Sequence, residues 1–356
     1  MCECISPVGE RRRDAAFPLS PTGRGWPEGS GEGETVDAAP FFLNTPCMTF
    51  ASSSTLASPT GAALRLYHEP ASAAPRGIVH INHGLAEHAA RYARFAKALS
   101  AAGYHVFAHD HRGHGFTKAP DAPMGRFAEK DGGQKVLDDV LTVRRHASAA
   151  HPGLPLIIFG HSMGGLIAMN SVLRNPDGLA GAAVWNCNFS AGALGLLAKL
   201  ILAGERMFLG SDVPSMVLPK LTFGDWAKKE TDGRTAFDWL SRDQTEVDKY
   251  VADPLCGWNG SVSMWQDIFT FVFKGADDAS FANVPKSLPF NLHGSAHDAS
   301  TDFGKALLQL AGRMRKIGFT RVTLDLHSDD RHECLNDLNR DDVTTAFIAW
   351  LHRICP

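Results

Sequence analysis

Leu156-Ile157-Ile158-Phe159-Gly160-His161-Ser162-Met163-Gly164-Gly165-Leu166-Ile167 decides the fold. Residues 155–159 carry no polar alternation, the pattern of a parallel strand buried on both faces. Gly160 ends the run abruptly. Beyond it Leu166, Ile167, Met169, Val172 and Leu173 recur at helical spacing. A strand therefore turns sharply into a helix, with Ser162 at the turn. Such a turn strains the serine backbone and needs small neighbours, which Gly160, Gly164 and Gly165 supply, so that the Ser162 Oγ projects from the sheet. A bare Gly-x-Ser-x-Gly is a common glycine turn. The strand before it and the helix after it make this one specific.

Outward from this turn the chain alternates strand-like and helix-like patterns, which predicts a mainly parallel sheet covered by helices. Residues 52–57 and 62–67 flank Pro59-Thr60-Gly61 and read as an antiparallel hairpin. Strands follow over 78–82, 105–109, 155–159, 182–186, 288–293 and 320–326. Helices are expected up to Ala102, where Tyr92, Phe95, Ala96 and Leu99 share a face, and over 133–150, 301–317 and 340–353. The interval 190–285 is far longer than the usual connection of about 4–6 residues and is helical in pattern. The sequence thus predicts a core of residues 48–189 and 286–356 with an inserted helical cap over the sheet. Residues 1–47, rich in Gly, Pro, Ser and Glu, read either as a disordered arm or as an extension upstream of a start at Met48.

The 356 residues are 44% hydrophobic and 21% charged, with a net charge of −3. That balance fits a globular protein and offers no basic field for nucleic acid. The seven cysteines are odd in number and scattered, so reduced thiols in a cytoplasmic setting are expected. Arg11, Arg12 and Arg13 precede no apolar run of signal length, and no stretch reaches the roughly 20 residues needed to span a bilayer. Oligomeric state is not legible.

A hydroxyl is a poor nucleophile near neutral pH, so a histidine must take its proton and an acid must orient that histidine. The order expected behind a strand-turn-helix serine is nucleophile, acid, base. His332 lies in the loop between strand 320–326 and the last helix and is the expected base, with His327 its rival. Asp298 follows strand 288–293 and is the expected acid. Asp302, just before a helical pattern, reads as a helix N-cap. An oxyanion needs preplaced N–H donors, expected from the backbone of Met163, after the nucleophile, and of Leu85, after the His83-Gly84 turn.

Four segments, His83-Gly84-Leu85-Ala86-Glu87-His88 with Arg91-Tyr92, Asp110-His111-Arg112-Gly113-His114-Gly115, Gly160 to Gly165, and Arg331-His332-Glu333, occur in the order found in the monoacylglycerol lipase and lysophospholipase group of α/β-hydrolases. The chain resembles that group over roughly residues 50–354, less so across the cap. The resemblance implies the α/β-hydrolase fold, a Ser162, Asp298, His332 triad, oxyanion donors at Leu85 and Met163, and no cofactor. One departure is that residues 294–300 lack the Asp-Pro pair common in the group. His111-x-x-His114 has metal-like spacing, but in the group this segment is a structural loop, and no metal is expected. The implied activity is hydrolysis of a lipid carboxylic ester. Alternatives are a small-ester carboxylesterase, another triad reaction such as peptide or carbon–carbon bond hydrolysis, or a non-catalytic binding module. Leu194, Leu196, Leu197, Leu200, Ile201 and Leu202 suggest an acyl tunnel or transient contact with a membrane or micelle, although a helix packed on the body is expected to account for most of them.

Overall fold

The computed structural model describes residues 49–190, 192–229 and 233–356. The expected arm, residues 1–47, and Met48 lie outside the described residues.

Among the described residues eight strands form one sheet: β1 (Ser52–Ala57), β2 (Ala63–Glu69), β3 (Gly77–Asn82), β4 (Tyr104–His109), β5 (Leu156–His161), β6 (Leu179–Trp185), β7 (Phe290–Ser295) and β8 (Val322–His327). Their order is β1-β2-β4-β3-β5-β6-β7-β8. The hairpin β1–β2 is antiparallel, β2 joins β4 antiparallel, and all later pairs are parallel. The helices are α1 (Ala93–Ala101), α2 (Gly132–Ala150), α3 (Met163–Arg174), α4 (Ala193–Phe208), α5 (Leu218–Leu221), α6 (Phe223–Lys229), α7 (Gln244–Ala252), α8 (Val262–Ala276), α9 (Lys305–Lys316) and α10 (Arg340–Ile354).

The unbroken apolar run in β5 follows from helices on both faces. Ile157 and Phe159 pack with Phe95 and Leu99 of α1 and Phe347 and Trp350 of α10, while Ile158 packs with residues of α2, α3 and α8. Phe159 and Trp185 meet edge to face at 4.9 Å in the first of these layers. Truncating either to alanine would cost about 3–5 kcal/mol.

After β3 the chain runs through the loop expected to carry Leu85: residues 83–88 form it, and a single 3-10 turn, Ala89–Tyr92, precedes α1. Side chains intercept the N–H groups a helix would use. Gly84 N–H donates to Glu87 Oε1 at 2.6 Å and Ala89 N–H to Asp110 Oδ1 at 2.9 Å, and Ala86 takes a positive φ of 55°. One difference from the sequence reading concerns α4, whose apolar residues surround it instead of mostly packing on the body. Gly195, Ala198, Leu202 and Glu205 face inward, leaving Leu194, Leu200, Met207 and Phe208 exposed. Between β6 and β7, α8 packs on α3, and Asn170 Nδ2 of α3 donates to the Phe271 carbonyl at 3.0 Å.

Candidate active site

Ser162 sits between β5 and α3 with φ 55° and ψ −122°, a conformation that non-glycine residues adopt only when their surroundings enforce it. Two close approaches do so. A Cβ on Gly160 would stand 2.0 Å from the Gly164 carbonyl oxygen, and one on Gly164 would stand 2.1 Å from that of Asn82. The turn thus closes onto the end of β3, and the Ser162 N–H donates to Trp185 O at 2.9 Å. Met163 opens α3, where first-turn N–H groups lack intrahelical acceptors.

His332 lies in the loop after β8. Its Nδ1 is 3.0 Å from Asp298 Oδ2 and 3.0 Å from Ser300 Oγ. Asp298 is buried and fully engaged: Oδ1 accepts from the Ser300 N–H and hydroxyl at 2.9 and 2.6 Å, and Oδ2 also accepts from Asn186 Nδ2 at 3.1 Å. Burial opposes its charge, but His332, Ser300 and Asn186 prevail and hold its carboxyl below the usual range. An ionised Asp298 accepts a hydrogen bond from the Nδ1–H of His332, which leaves Nε2 as the basic nitrogen.

The loop carrying His332 is fastened on several sides. The His332 N–H donates to Trp239 O at 3.4 Å and the Glu333 N–H to Leu240 O at 2.7 Å, while the His332 carbonyl accepts from His161 Nε2 at 2.9 Å. The rings of Trp239 and Trp226 lie 4.9 and 6.4 Å from the imidazole. Beneath runs a charged clamp. Arg91 bonds both Glu333 oxygens and Glu87 Oε2, each at 2.6 Å, and Glu87 Oε1 accepts from Tyr92 Oη at 2.8 Å as well as from Gly84 N–H. Although burial acts against ionisation of Glu87, Arg91 and His161 outweigh it and hold its carboxyl well below the usual range. His161 Nδ1 stands 3.9 Å from Glu87 Oε1; burial disfavours its cation, yet Glu87 and the His332 carbonyl raise its pKa.

Leu85 follows Gly84 in a loop held from several directions. His83 Nδ1–H donates to Gly84 O at 2.8 Å and His83 Nε2 accepts from the His111 N–H at 2.9 Å, while Ala86 O accepts from Tyr250 Oη and the Gly257 N–H, both at 2.9 Å. The segment from Asp110 to Gly115 serves as scaffold, with Asp110 accepting from the N–H groups of Ala89 and Phe116. Within it the rings of His111 and His114 are 6.3 Å apart.

Ser162, His332 and Leu85 line one cavity of ≈ 250 Å³, walled by Phe223, Trp239, Leu240 and Trp258 with Lys220 at its side. The structure brings together Ser162, Asp298, His332, Leu85 and the helix end at Met163. His327 ends β8, and its Nδ1 faces Asp330 at 3.5 Å instead of Asp298. Asp302 does not cap a helix as expected: Gly304 occupies that position of α9, and Asp302 is exposed at φ 51° beside Lys305. Residue-type reasoning assigned no role to Glu87, Arg91, His161 and Glu333, although all four stand inside the motifs that carry the resemblance. Asn186 gave no sequence signal, because only the fold brings it to Asp298, and Ser300, two residues after Asp298, gains its role only where the fold brings His332 to its hydroxyl.

Residues 73–339 match the family model Hydrolase_4, described as serine aminopeptidase, S33. Human monoglyceride lipase is 32% identical over 186 residues, which are 51% of this chain and 52% of that protein. The chain therefore spans about half the length of the curated relatives it matches. Among solved structures, a lipase in its open form is 27% identical with a TM-score of 0.74 over 85% of this chain and 99% of that one. A thermostable carboxyl esterase from Bacillus coagulans shares the fold, with a TM-score of 0.77 at 23% identity over 86% and 99% of the two chains. With its strand order, its serine turn and a family match over most of its length, the chain belongs to the Hydrolase_4 (serine aminopeptidase, S33) family and is an α/β-hydrolase with monoglyceride lipases among its relatives.

Proposed function

We propose that this chain is a serine hydrolase that cleaves a lipid carboxylic ester, a monoacylglycerol or lysophospholipid, through Ser162, His332 and Asp298. The observation that carries the reading is the 3.0 Å pair between His332 Nδ1 and buried Asp298, on a loop that shares an apolar-walled cavity with Ser162. In this reading Ser162 Oγ attacks the ester carbonyl while His332 Nε2 takes its proton. The oxyanion of the tetrahedral intermediate accepts from the N–H groups of Leu85 and Met163. Collapse expels the alcohol, which takes the proton from His332, and leaves an acyl-Ser162. Water then attacks the acyl-enzyme with His332 again as base, releasing the fatty acid and restoring Ser162. No step calls on a cofactor.

The lipid part of the reading is supported by the aromatic cavity wall, by the exposed side chains of α4 and by relatives named monoglyceride lipases. We assign residues 190–285 the role of a cap, with the exposed side of α4 meeting a micelle or membrane surface transiently. Among the described residues no helix is long and apolar enough to cross a membrane. A second reading, a short-ester carboxylesterase, is favoured by the cavity volume of ≈ 250 Å³, just under the roughly 300–1,000 Å³ usual for ligand pockets.

The test is a p-nitrophenyl ester series of rising acyl length beside a monoacylglycerol. Activity that persists through long chains and on monoacylglycerol supports the lipid reading. A preference confined to acetate and butyrate selects the second reading. Failure of a fluorophosphonate to label Ser162 overturns both.

A further inference from the structure

Behind the His332 loop lie two buried polar atoms that no hydrogen bond satisfies. His293, on β7, is 2% exposed and stacks on Trp185 at 4.3 Å, and its Nε2 has no partner. Asp330 is fully buried: Oδ1 accepts from Asn339 Nδ2, whereas Oδ2 accepts no hydrogen bond. These atoms face each other at 3.9 Å. The parallel register of β7 and β8 adds a third donor, since it sets Ser295 against His327 and brings His327 Nδ1 to 3.5 Å from Asp330 Oδ2. All three atoms lie within 4.8 Å of one another. Buried polar atoms are nearly always satisfied, so a converging set of orphans calls for an occupant.

We propose that His293 Nε2, His327 Nδ1 and Asp330 Oδ2 form a binding site for a divalent transition-metal ion of the zinc class, which braces β7, β8 and the loop that carries His332. Two imidazoles and a carboxylate are a donor set suited to zinc, with bonds of about 2.0–2.2 Å. Tetrahedral ligands then stand about 3.3 Å apart, so the three atoms need to close by no more than about 1.5 Å. Burial keeps His293 neutral and ready to ligate, and it raises the Asp330 carboxyl, a cost that a bound cation offsets. The neighbouring charges are balanced: Arg242 approaches Asp330 Oδ1 at 3.8 Å but is held at 2.8 Å by Asp337. The partly exposed His327 leaves a path of entry and room for a water as fourth ligand. No local spacing announces this site, because its histidines come from two strands 34 residues apart.

A second histidine group, His68, His105 and His151, also gathers its nitrogens within 4.8 Å. There the rings of His105 and His151 stack at 3.6 Å and 20°, so their in-plane lone pairs run nearly parallel instead of converging. It serves as the internal control.

The full chain, stripped with a chelator, is titrated with Zn²⁺ by calorimetry, with Co²⁺ absorption as a second readout of ligand geometry. We expect one saturable Zn²⁺ per chain and a rise in Tm of about 4 °C at 100-fold excess over Kd. Asp330→Asn and His327→Gln should each weaken binding by at least about 100-fold, since even outer-shell partners of a metal are worth 10–100-fold. His105→Gln should leave it unchanged. Should Asp330→Asn not fold, His327→Gln at the more exposed position decides. The proposal is overturned by the absence of saturable binding, which would leave only a direct His293–Asp330 hydrogen bond. It is equally overturned if binding is unchanged in the folded Asp330→Asn or His327→Gln chain, or is lost in His105→Gln. None of these readouts depends on turnover, so they stand apart from the proposed hydrolysis.

Discussion

Arg91 grips both carboxylate oxygens of Glu333, Nη1 to Oε1 and Nη2 to Oε2, each at 2.6 Å, across 242 residues of sequence. The same guanidinium bonds Glu87, whose other oxygen accepts from the Gly84 N–H. One side chain therefore joins the loop of the proposed oxyanion donor Leu85 to the loop of the proposed base His332. Arg91→Met would leave two buried carboxylates without their cation and should cost about 3–5 kcal/mol. Arg91→Lys keeps the charge but cannot form the planar fork, so it should restore part of the stability and less of kcat. Urea unfolding and ester kinetics on the three chains check this; a lysine variant with wild-type kcat would refute the positioning role.

Ser162→Ala and His332→Ala should each lower kcat by on the order of 10⁴–10⁶-fold, because members of a triad act as a unit. Burst-phase kinetics with an activated ester should show acyl-enzyme accumulating in the parent chain and no burst in Ser162→Ala. A residual rate within tenfold of the parent in either variant would remove that residue from the mechanism.

For the acid, Asp298→Asn and Asp302→Asn give opposite expectations. Asp298 is buried and bonded to His332, Ser300 and Asn186, so its amide would present the wrong polarity to Nδ1–H and should cost about 10⁴-fold in kcat. Asp302 is exposed, and its change should stay within about 0.5 kcal/mol in stability and leave kcat near the parent. The reverse outcome would move the acid to Asp302.

How much of this was readable beforehand depended on sequence distance. Ser162 and its helix were legible because strand, turn and helix lie within a dozen residues, where periodicity and glycine placement speak directly. The eight strands were legible for the same reason, with ends shifted by no more than three residues. Asp302 misled because an aspartate before a helical pattern usually caps it, whereas here Phe303 and Gly304 also take positive φ and delay the helix. Asn186 was invisible, since its polarity acquires meaning only when β6 and β7 lie side by side, and Ser300, although next but one to Asp298, gains its role only when the loop after β8 brings His332 to its hydroxyl.

Acid should unfold this protein early. His80, His83, His109, His111, His114 and His293 are wholly buried, and burial depresses all six, His80 to about 3. In the unfolded chain they titrate near 6.5. Because their native values are lowered, the stability they confer is complete above about pH 6.5 and is lost as pH falls towards the native values. Each contributes a slope of up to about 1.4 kcal/mol per pH unit. His161 has the opposite sign: its raised native value gives stability below about 6.5 that fades as pH rises through that value. Six outweigh one. Even half the summed slope would exhaust a typical stability of about 5–15 kcal/mol within roughly one to four pH units. Near-UV circular dichroism should show cooperative unfolding between about pH 3 and 5, and a native spectrum at pH 2.5 would contradict the assignment.

Two glycines should respond in opposite directions to the same methyl group. At Gly164 a Cβ would lie 2.1 Å from the backbone oxygen of Asn82 and 2.5 Å from that of His83, atoms that cannot move without displacing β3 from the serine turn. Gly164→Ala should therefore lower Tm by several degrees and abolish fluorophosphonate labelling of Ser162. At Gly312, exposed within α9, no atom stands within 4 Å of the added Cβ. Gly312→Ala restricts only the unfolded chain and improves helix propensity, worth about 0.5–1 kcal/mol, so Tm should rise by about 1–2 °C with labelling unchanged. Calorimetry with a labelling assay on both variants separates the effects. Loss of labelling in Gly164→Ala at an unchanged Tm would place the defect in the turn alone, and full labelling would show that the close contact with β3 does not hold Ser162 in position.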